Sequence, residues 1–282
     1  MIQRLTIIGV GLLGGSIGLA SRRRISDVKI MGCGHREASL ERAQDVGAID
    51  EWTLDPADAV RDADLVVVCT PVGQVGPWLA KIADHLKPGA IVTDVGSTKS
   101  AIVVAGERVI RRPAFFVGSH PMAGSEKRGV EVARAELFEG ATCVVTRTDA
   151  TDEAAATIVE DFWDTLGARV VRHTPAEHDR LVALVSHVPH AVAGALMGIQ
   201  TDASLDLHGR GLLDTTRVAG GDADLWRDIL IDNSANVIDG IDAVVAQLMQ
   251  LRGLLNSQNA TGVREWLQTH ATARQALEMG RG

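Results

Sequence analysis

The segment GSHPMAGSEKRG at residues 118–129 places a histidine, His120, at the end of an apolar run. An imidazole there can take a proton near neutral pH, because its ordinary pKa is ~6.5. Far upstream, RLTIIGVGLLGGSIGLA reads as a short strand entering G-x-G-x-x-G at Gly9, Gly11 and Gly14, followed at once by a helix. In that context Gly9 permits a tight turn, Gly11 lets the backbone approach a pyrophosphate, and Gly14 allows helix and strand to pack closely. The helix N-terminus, with Leu12 and Leu13 in its first turn, then faces the anion. A dinucleotide fingerprint combined with a strand-end base points to nicotinamide-dependent dehydrogenation.

The elements that must position these residues follow in order. VKIMGCG reads as a second strand, with helix after it through Val46, and ADLVVVCTPV is apolar throughout, as a strand covered on both faces should be. A helix is expected over residues 76–86, and GAIVTDVGS, AFFVGSH, ATCVVTRT and ARVVRHT complete the strands. This alternation predicts a doubly wound, mostly parallel α/β sheet. Ligands bind such sheets at the carboxyl ends of strands, which is where Thr70, Pro71, Ser97 and His120 fall. Beyond Thr174 strand signals cease. The helix AEHDRLVALVSHVPHAVAGALMGIQ carries Leu181, Leu184, Val185, Val188 and Val192 as its expected buried stripe, with His187 and His190 on the other side and Pro189 loosening the turn between them. Amphipathic helices over residues 234–255 and 260–279 suit a subunit interface. The domains divide at 1–173 and 174–282.

The composition narrows the classes of function. The 282 residues are 46% hydrophobic, enough for two cores, and the net charge of −8 argues against a nucleic-acid surface. Arg22, Arg23 and Arg24, the tight basic cluster, fall where the first helix should end and oppose its dipole. No leader pattern and no run long enough to span a bilayer is seen. Cys33, Cys69 and Cys143 lack the paired spacing of a metal site, so no metal is expected, and a reducing cytoplasm with buried thiols is.

The pieces GVGLLGGS, DVGSTK, GSHPMAGSEKRG, SHVPHAV and DTTRVAGGDADLWRDI, in order over most of the chain, resemble the prephenate and arogenate dehydrogenases of tyrosine biosynthesis. The resemblance implies an N-terminal Rossmann domain and an all-helical C-terminal dimerisation domain, hence a homodimer. It implies oxidative decarboxylation of a cyclohexadienol dianion, with hydride passing to NAD or NADP. His120 is then the base, and Ser97 hydrogen-bonds the same hydroxyl or the nicotinamide amide. Arg217 resembles the arginine that pairs with the ring carboxylate, His190 the histidine at the pyruvyl end, and His187 its support. Ser125 and Glu126 resemble residues at the substrate entrance. Trp226 is read as a packing anchor near Arg217, and His178 as structural.

NAD enzymes usually place an acid after the second strand to hold the ribose 2′-hydroxyl. Here Gly34 stands there, with His35 and Arg36 next, which favours NADP, although Glu37 restores an acid one residue further on. Prephenate, arogenate and 4-amino-4-deoxyprephenate remain open as substrates. A β-hydroxyacid dehydrogenase would need a catalytic lysine in the helical domain, and none occurs after Lys127. A cofactor-sensing protein without catalysis would be expected to lose the polar residues at the strand ends.

Overall fold

A computed structural model describes residues 2–124 and 127–279. Its first part alternates strand and helix: β1 (Arg4–Ile8), α1 (Leu12–Arg24), β2 (Lys29–Cys33), α2 (Glu37–Asp45), β3 (Glu51–Thr53), α3 (Pro56–Val60), β4 (Leu65–Val68), α4 (Val72–Ile82), β5 (Ile91–Asp94), α5 (Ser100–Val109) and β6 (Phe115–Phe116). These six strands form one parallel sheet in the order β3-β2-β1-β4-β5-β6, the doubly wound arrangement in which order reverses beside β1. Successive side chains of a strand point to opposite faces, so each strand feeds two cores. Leu65 and Val67 join one apolar cluster with Leu5, Ile7 and Ile17, whereas Val66 and Val68 join the other with Ile8 and Leu79.

The run AFFVGSH is not one strand. Phe115 and Phe116 pair with β5, and the chain then leaves the sheet to form β7 (Ser119–Pro121), antiparallel to β8 (Thr142–Thr146) in a second sheet of order β7-β8-β9. Gly118 marks the crossing, because a Cβ there would lie 2.6 Å from Thr146 Oγ1 and 2.8 Å from Val103 Cγ2. Helix α6 (Glu153–Thr165) connects β8 to its parallel partner β9 (Arg169–His173) and buries Phe162 and Trp163. His120 therefore sits in the second sheet rather than at an end of the first.

After β9 the described chain is helical: α7 (Pro175–Val182), a π turn at Ala183–His187, α8 (Val188–Gly198), α9 (Asp202–Leu205), α10 (Arg210–Thr216), α11 (Ala223–Asp232), α12 (Ser234–Asn256) and α13 (Ala260–Met279). A capping box of Thr174 and Glu177 starts α7. Pro189 cannot donate a backbone hydrogen bond, and the preceding turn widens to π geometry. That extra residue rotates the inward face. Val182, Ala183, His187, Val188 and Ala193 are buried, while Leu184 and Val185 of the expected buried stripe are 52% and 69% exposed.

The helical run over Pro175–Gly198, 24 residues with a window of mean hydropathy 1.5, is long and apolar enough to cross a membrane, contrary to the expectation from sequence. Its first turns nevertheless bury His178 and Asp179, and its middle buries His187. The chain forms two compact units, Met1–Ser234 and Ala235–Gly282. In the second, α12 and α13 are joined by a turn in which Asn259 Oδ1 accepts from the Gly262 N–H, beside a cavity of about 640 Å³ bordered by Leu254, Val263 and Leu267.

Candidate active site

The end of β5 and the start of β7 are joined by a buried polar knot. Asp94 accepts from the backbone N–H of Gly96 and Ser119, and forms an ion pair with the Lys99 ammonium; both side chains of the pair are fully buried. Lys99 also donates to the Ser119 carbonyl at 3.0 Å, and the Ser119 hydroxyl donates to the Asp94 carbonyl while accepting from Trp163 Nε1. A buried charge pair is tolerated when further hydrogen bonds satisfy its members, and here the backbone N–H groups of Gly96 and Ser119 serve the carboxylate and the Ser119 carbonyl serves the ammonium. The knot fixes His120, the next residue.

His120 Nδ1 lies 2.8 Å from His178 Nε2, and His178 Nδ1 lies 2.8 Å from Asp179 Oδ1. Asp179 also accepts from the backbone N–H groups of Lys99 (2.7 Å) and Ser100 (2.8 Å) at the start of α5. Burial would raise its pKa, but the hydrogen bonds from His178, Ser100 and Lys99 outweigh it and hold the carboxyl below its usual range. An ionised Asp179 accepts only, so His178 carries its proton on Nδ1 and must accept at Nε2. His120 then donates from Nδ1, leaving its Nε2 lone pair without a protein partner among the described residues. Burial, then His178, Lys99 and His187, push the pKa of His120 well below 6.5, and burial lowers that of His178, so both rings are neutral at pH 7. The arrangement is a ready proton acceptor with a carboxylate two bonds of hydrogen away.

A second group lies on the helices. His187 is buried, its pKa pushed down to about 4 by burial and then by His178. Asn233 Nδ2 donates to the Asp179 carbonyl at 2.8 Å and lies 3.1 Å from His187 Nδ1, which it meets as a donor, so the His187 proton is on Nε2. His190 stacks on Trp226 with ring centroids 3.6 Å apart, and Gly221 leaves space for that stack, since a Cβ there would lie 2.3 Å from Trp226 Nε1. His190 Nδ1 is buried without a partner, a group that a ligand oxygen or hydroxyl would satisfy. Trp226 thus anchors His190. Arg217 is exposed in the 3-10 turn at Arg217–Gly220, which packs against α8. No carboxylate pairs with it among the described residues. Ser125 and Glu126 lie outside the described residues.

The nucleotide fingerprint fits a dinucleotide. Gly9 has φ +91° and lies where a Cβ would be 2.8 Å from the Cys69 carbonyl, and a Cβ at Gly14 would be 2.3 Å from the Gly9 carbonyl. At Gly11 it would meet nothing within 4 Å, so the approach to the start of α1, whose first turn holds Leu12, Leu13 and no acid, is open. Thr70 and Pro71 follow β4 beside Gly9, and Thr70 Oγ1 is buried without a partner. Ser97 stands on the turn between β5 and α5, with no hydrogen bond to His120. Gly34, His35 and Arg36 follow β2 and line a cavity of about 280 Å³ together with Gly9 and Gly11. Glu37 is absent from that lining; the acid present is Glu131, brought in by the 3-10 turn at Val130–Val132.

Sequence reasoning missed Asp179, Asn233, Lys99 and Glu131, and assigned His178 no part in the chemistry. The adjacent pair His178-Asp179 in the first turns of a well-capped helix was the available signal for two of them. Asn233 and Glu131 come from remote segments that carry no motif.

A nucleotide-binding α/β sheet joined to helices, with a buried neutral histidine at the junction, defines a dehydrogenase architecture. The profile of the prephenate dehydrogenase nucleotide-binding domain matches residues 17–172, and that of the prephenate dehydrogenase dimerization domain matches residues 174–269. The cyclohexadienyl dehydrogenase of Zymomonas mobilis is 32% identical over 99% of this chain and 97% of its own. The crystal structure of prephenate dehydrogenase from A. aeolicus in complex with hydroxyphenyl propionate and NAD+ superposes with a TM-score of 0.92, at 34% identity over 98% of this chain and 99% of that one. Synechocystis arogenate dehydrogenase gives 0.85, at 30% identity over 97% and 99%. The chain belongs to the prephenate dehydrogenase family and is an oxidoreductase with a nicotinamide-nucleotide-binding domain.

Proposed function

We propose that this enzyme converts prephenate to 4-hydroxyphenylpyruvate by oxidative decarboxylation, using NADP in preference to NAD, as a homodimer paired through its C-terminal helices. The observation that carries the reading is the bare Nε2 of a neutral, buried His120 whose other nitrogen is committed to His178 and Asp179. The nicotinamide, when bound, supplies the hydride acceptor. His120 takes the proton of the ring hydroxyl at Nε2 as the ring carboxylate departs as CO2. The new positive charge is stabilised through His178 by Asp179, as an oriented carboxylate stabilises an imidazolium elsewhere.

Ser97 holds the same hydroxyl, Arg217 pairs with the ring carboxylate through a planar fork of donors, and the unpartnered Nδ1 of His190 meets the pyruvyl end. His187, with its tautomer set by Asn233, supports it, and Ser125 and Glu126 border the entrance. Gly9, Gly11 and Gly14 admit the pyrophosphate, and Arg36, which has no ion-pair partner among the described residues, reads the 2′-phosphate. Names among the relatives span cyclohexadienyl, prephenate and arogenate dehydrogenases, so the test is initial rates with prephenate and with arogenate, each with NAD and NADP. Turnover of prephenate with NADP at the highest kcat/KM is expected. A preference for arogenate would transfer the reading to that substrate.

A further inference from the structure

We propose that Arg42 is a second cation of the 2′-phosphate subsite and that Glu131 is its resting counter-ion. The inference rests on the NADP reading above and names residues that the reading does not contain. Arg36 precedes α2, and Ala38, Ser39 and Arg42 follow on that helix along the wall of one cavity with Gly34. Residues 38 and 42 are four apart and 39 and 42 three apart, so Arg42 projects from the same helical face as the first turn. Two guanidinium groups and the Ser39 hydroxyl therefore converge where a ribose phosphate held at Gly9 and Gly11 would end.

The Arg42 guanidinium lies 3.6 Å from Glu131 Oε1, and the two side chains are 57% and 53% exposed. A solvated pair of this kind is worth about 0–1 kcal/mol. A phosphate monoester carries about −1.5 to −2 charges and three acceptor oxygens, and its charge-assisted bonds to arginine are about twice as strong as neutral ones. The phosphate outcompetes the carboxylate. Glu131 rests against Gly129, where a Cβ would lie 2.2 Å from Glu131 Oε2, and its half-exposed side chain can swing into solvent. Without the phosphate, Glu131 neutralises Arg42.

The test is equilibrium binding by calorimetry of NADP+, NAD+ and the fragment 2′,5′-ADP to the full chain. Arg42→Ala is expected to weaken NADP+ and 2′,5′-ADP about tenfold, equivalent to ~1.4 kcal/mol, and to leave NAD+ within about twofold. Glu131→Gln is expected to tighten NADP+ by several-fold by removing the competing charge. Equal losses of NADP+ and NAD+ in Arg42→Ala, or none, would overturn the proposal. So would a Glu131→Gln protein that binds NAD+ more weakly and NADP+ as before, since Glu131 would then hold the ribose hydroxyl. A wild type that binds NAD+ as tightly as NADP+ removes the cofactor reading along with it. An NADP+ preference abolished by Arg36→Ala and untouched by Arg42→Ala overturns this inference alone.

Discussion

The proton inventory at His120 makes its role measurable. His120→Asn keeps a donor for His178 but offers no base, so kcat should fall about 10²- to 10⁴-fold while cofactor affinity stays nearly constant. Unchanged turnover would remove His120 from the reaction. The sign of its pKa shift sets the pH profile. A base works deprotonated, and burial with His178, Lys99 and His187 depresses its pKa, so kcat/KM should be flat through neutrality and fall only below pH 6.5. An imidazole at its ordinary value of ~6.5 would place the acid limb near that pH, and a measured limb at or above it would contradict the depressed value. At the ribose, Gly34→Asp should reverse cofactor choice, since a new carboxylate would accept from the 2′-hydroxyl and repel a 2′-phosphate. Its Cβ would meet Leu40 no closer than 3.6 Å, so the fold should tolerate it. Ratios of kcat/KM for NAD and NADP before and after the change decide the matter. The base and the fingerprint were legible because their residue types have few other uses at strand ends and turns. The His178-Asp179 pair stood in the sequence, but its role was not legible, because its meaning comes from the remote backbone N–H groups of Lys99 and Ser100, which claim the carboxylate.

At the scale of elements, Gly18 within α1 and Gly11, which caps it, separate folding from binding. A Cβ at Gly18 would lie 2.0 Å from the Ala48 carbonyl, and backbone cannot yield as a flexible side chain does. Gly18→Ala should therefore cost about 1–3 kcal/mol despite the better helix propensity of alanine, and lower the thermal midpoint by several degrees. Gly11→Ala meets no atom and should leave the midpoint unchanged while weakening the dinucleotide. A scan of both variants with and without NADP+ reads the two effects apart. Strands β1, β2, β4 and β5 were legible because a strand covered on both faces is mostly apolar, with the few buried polar residues, such as Thr6, Thr93 and Asp94, held by hydrogen bonds. The break between β6 and β7 was not, being imposed at Gly118 by Thr146 and Val103 from other parts of the chain. Nor was the rotated face of the helix after Thr174, because periodicity assumes 3.6 residues per turn and the π turn before Pro189 violates it.

On the scale of the whole molecule, large apolar side chains remain uncovered in each compact unit: Leu184 and Val185 in the first, Ile238, Leu248, Met249 and Leu267 in the second. A chain with that much exposed apolar helix surface should pair, and size-exclusion chromatography with light scattering should return a dimer mass. A stable, active monomer would refute it. Asp179 ties the integrity of the molecule to its chemistry, since one carboxylate both caps α5 and orients the relay to His120. Its depressed pKa means that its contribution to stability is present above the normal carboxylate range and is lost only as the pH falls through the lower, folded-state value. Acidification should consequently produce two separable events. One is a reversible loss of turnover as His120 protonates, which the near-ultraviolet signal of buried Trp163 does not report. The other is collapse of that signal together with the helix start that Asp179 clamps, so that a rate assay and a spectrum read two different protons of one relay.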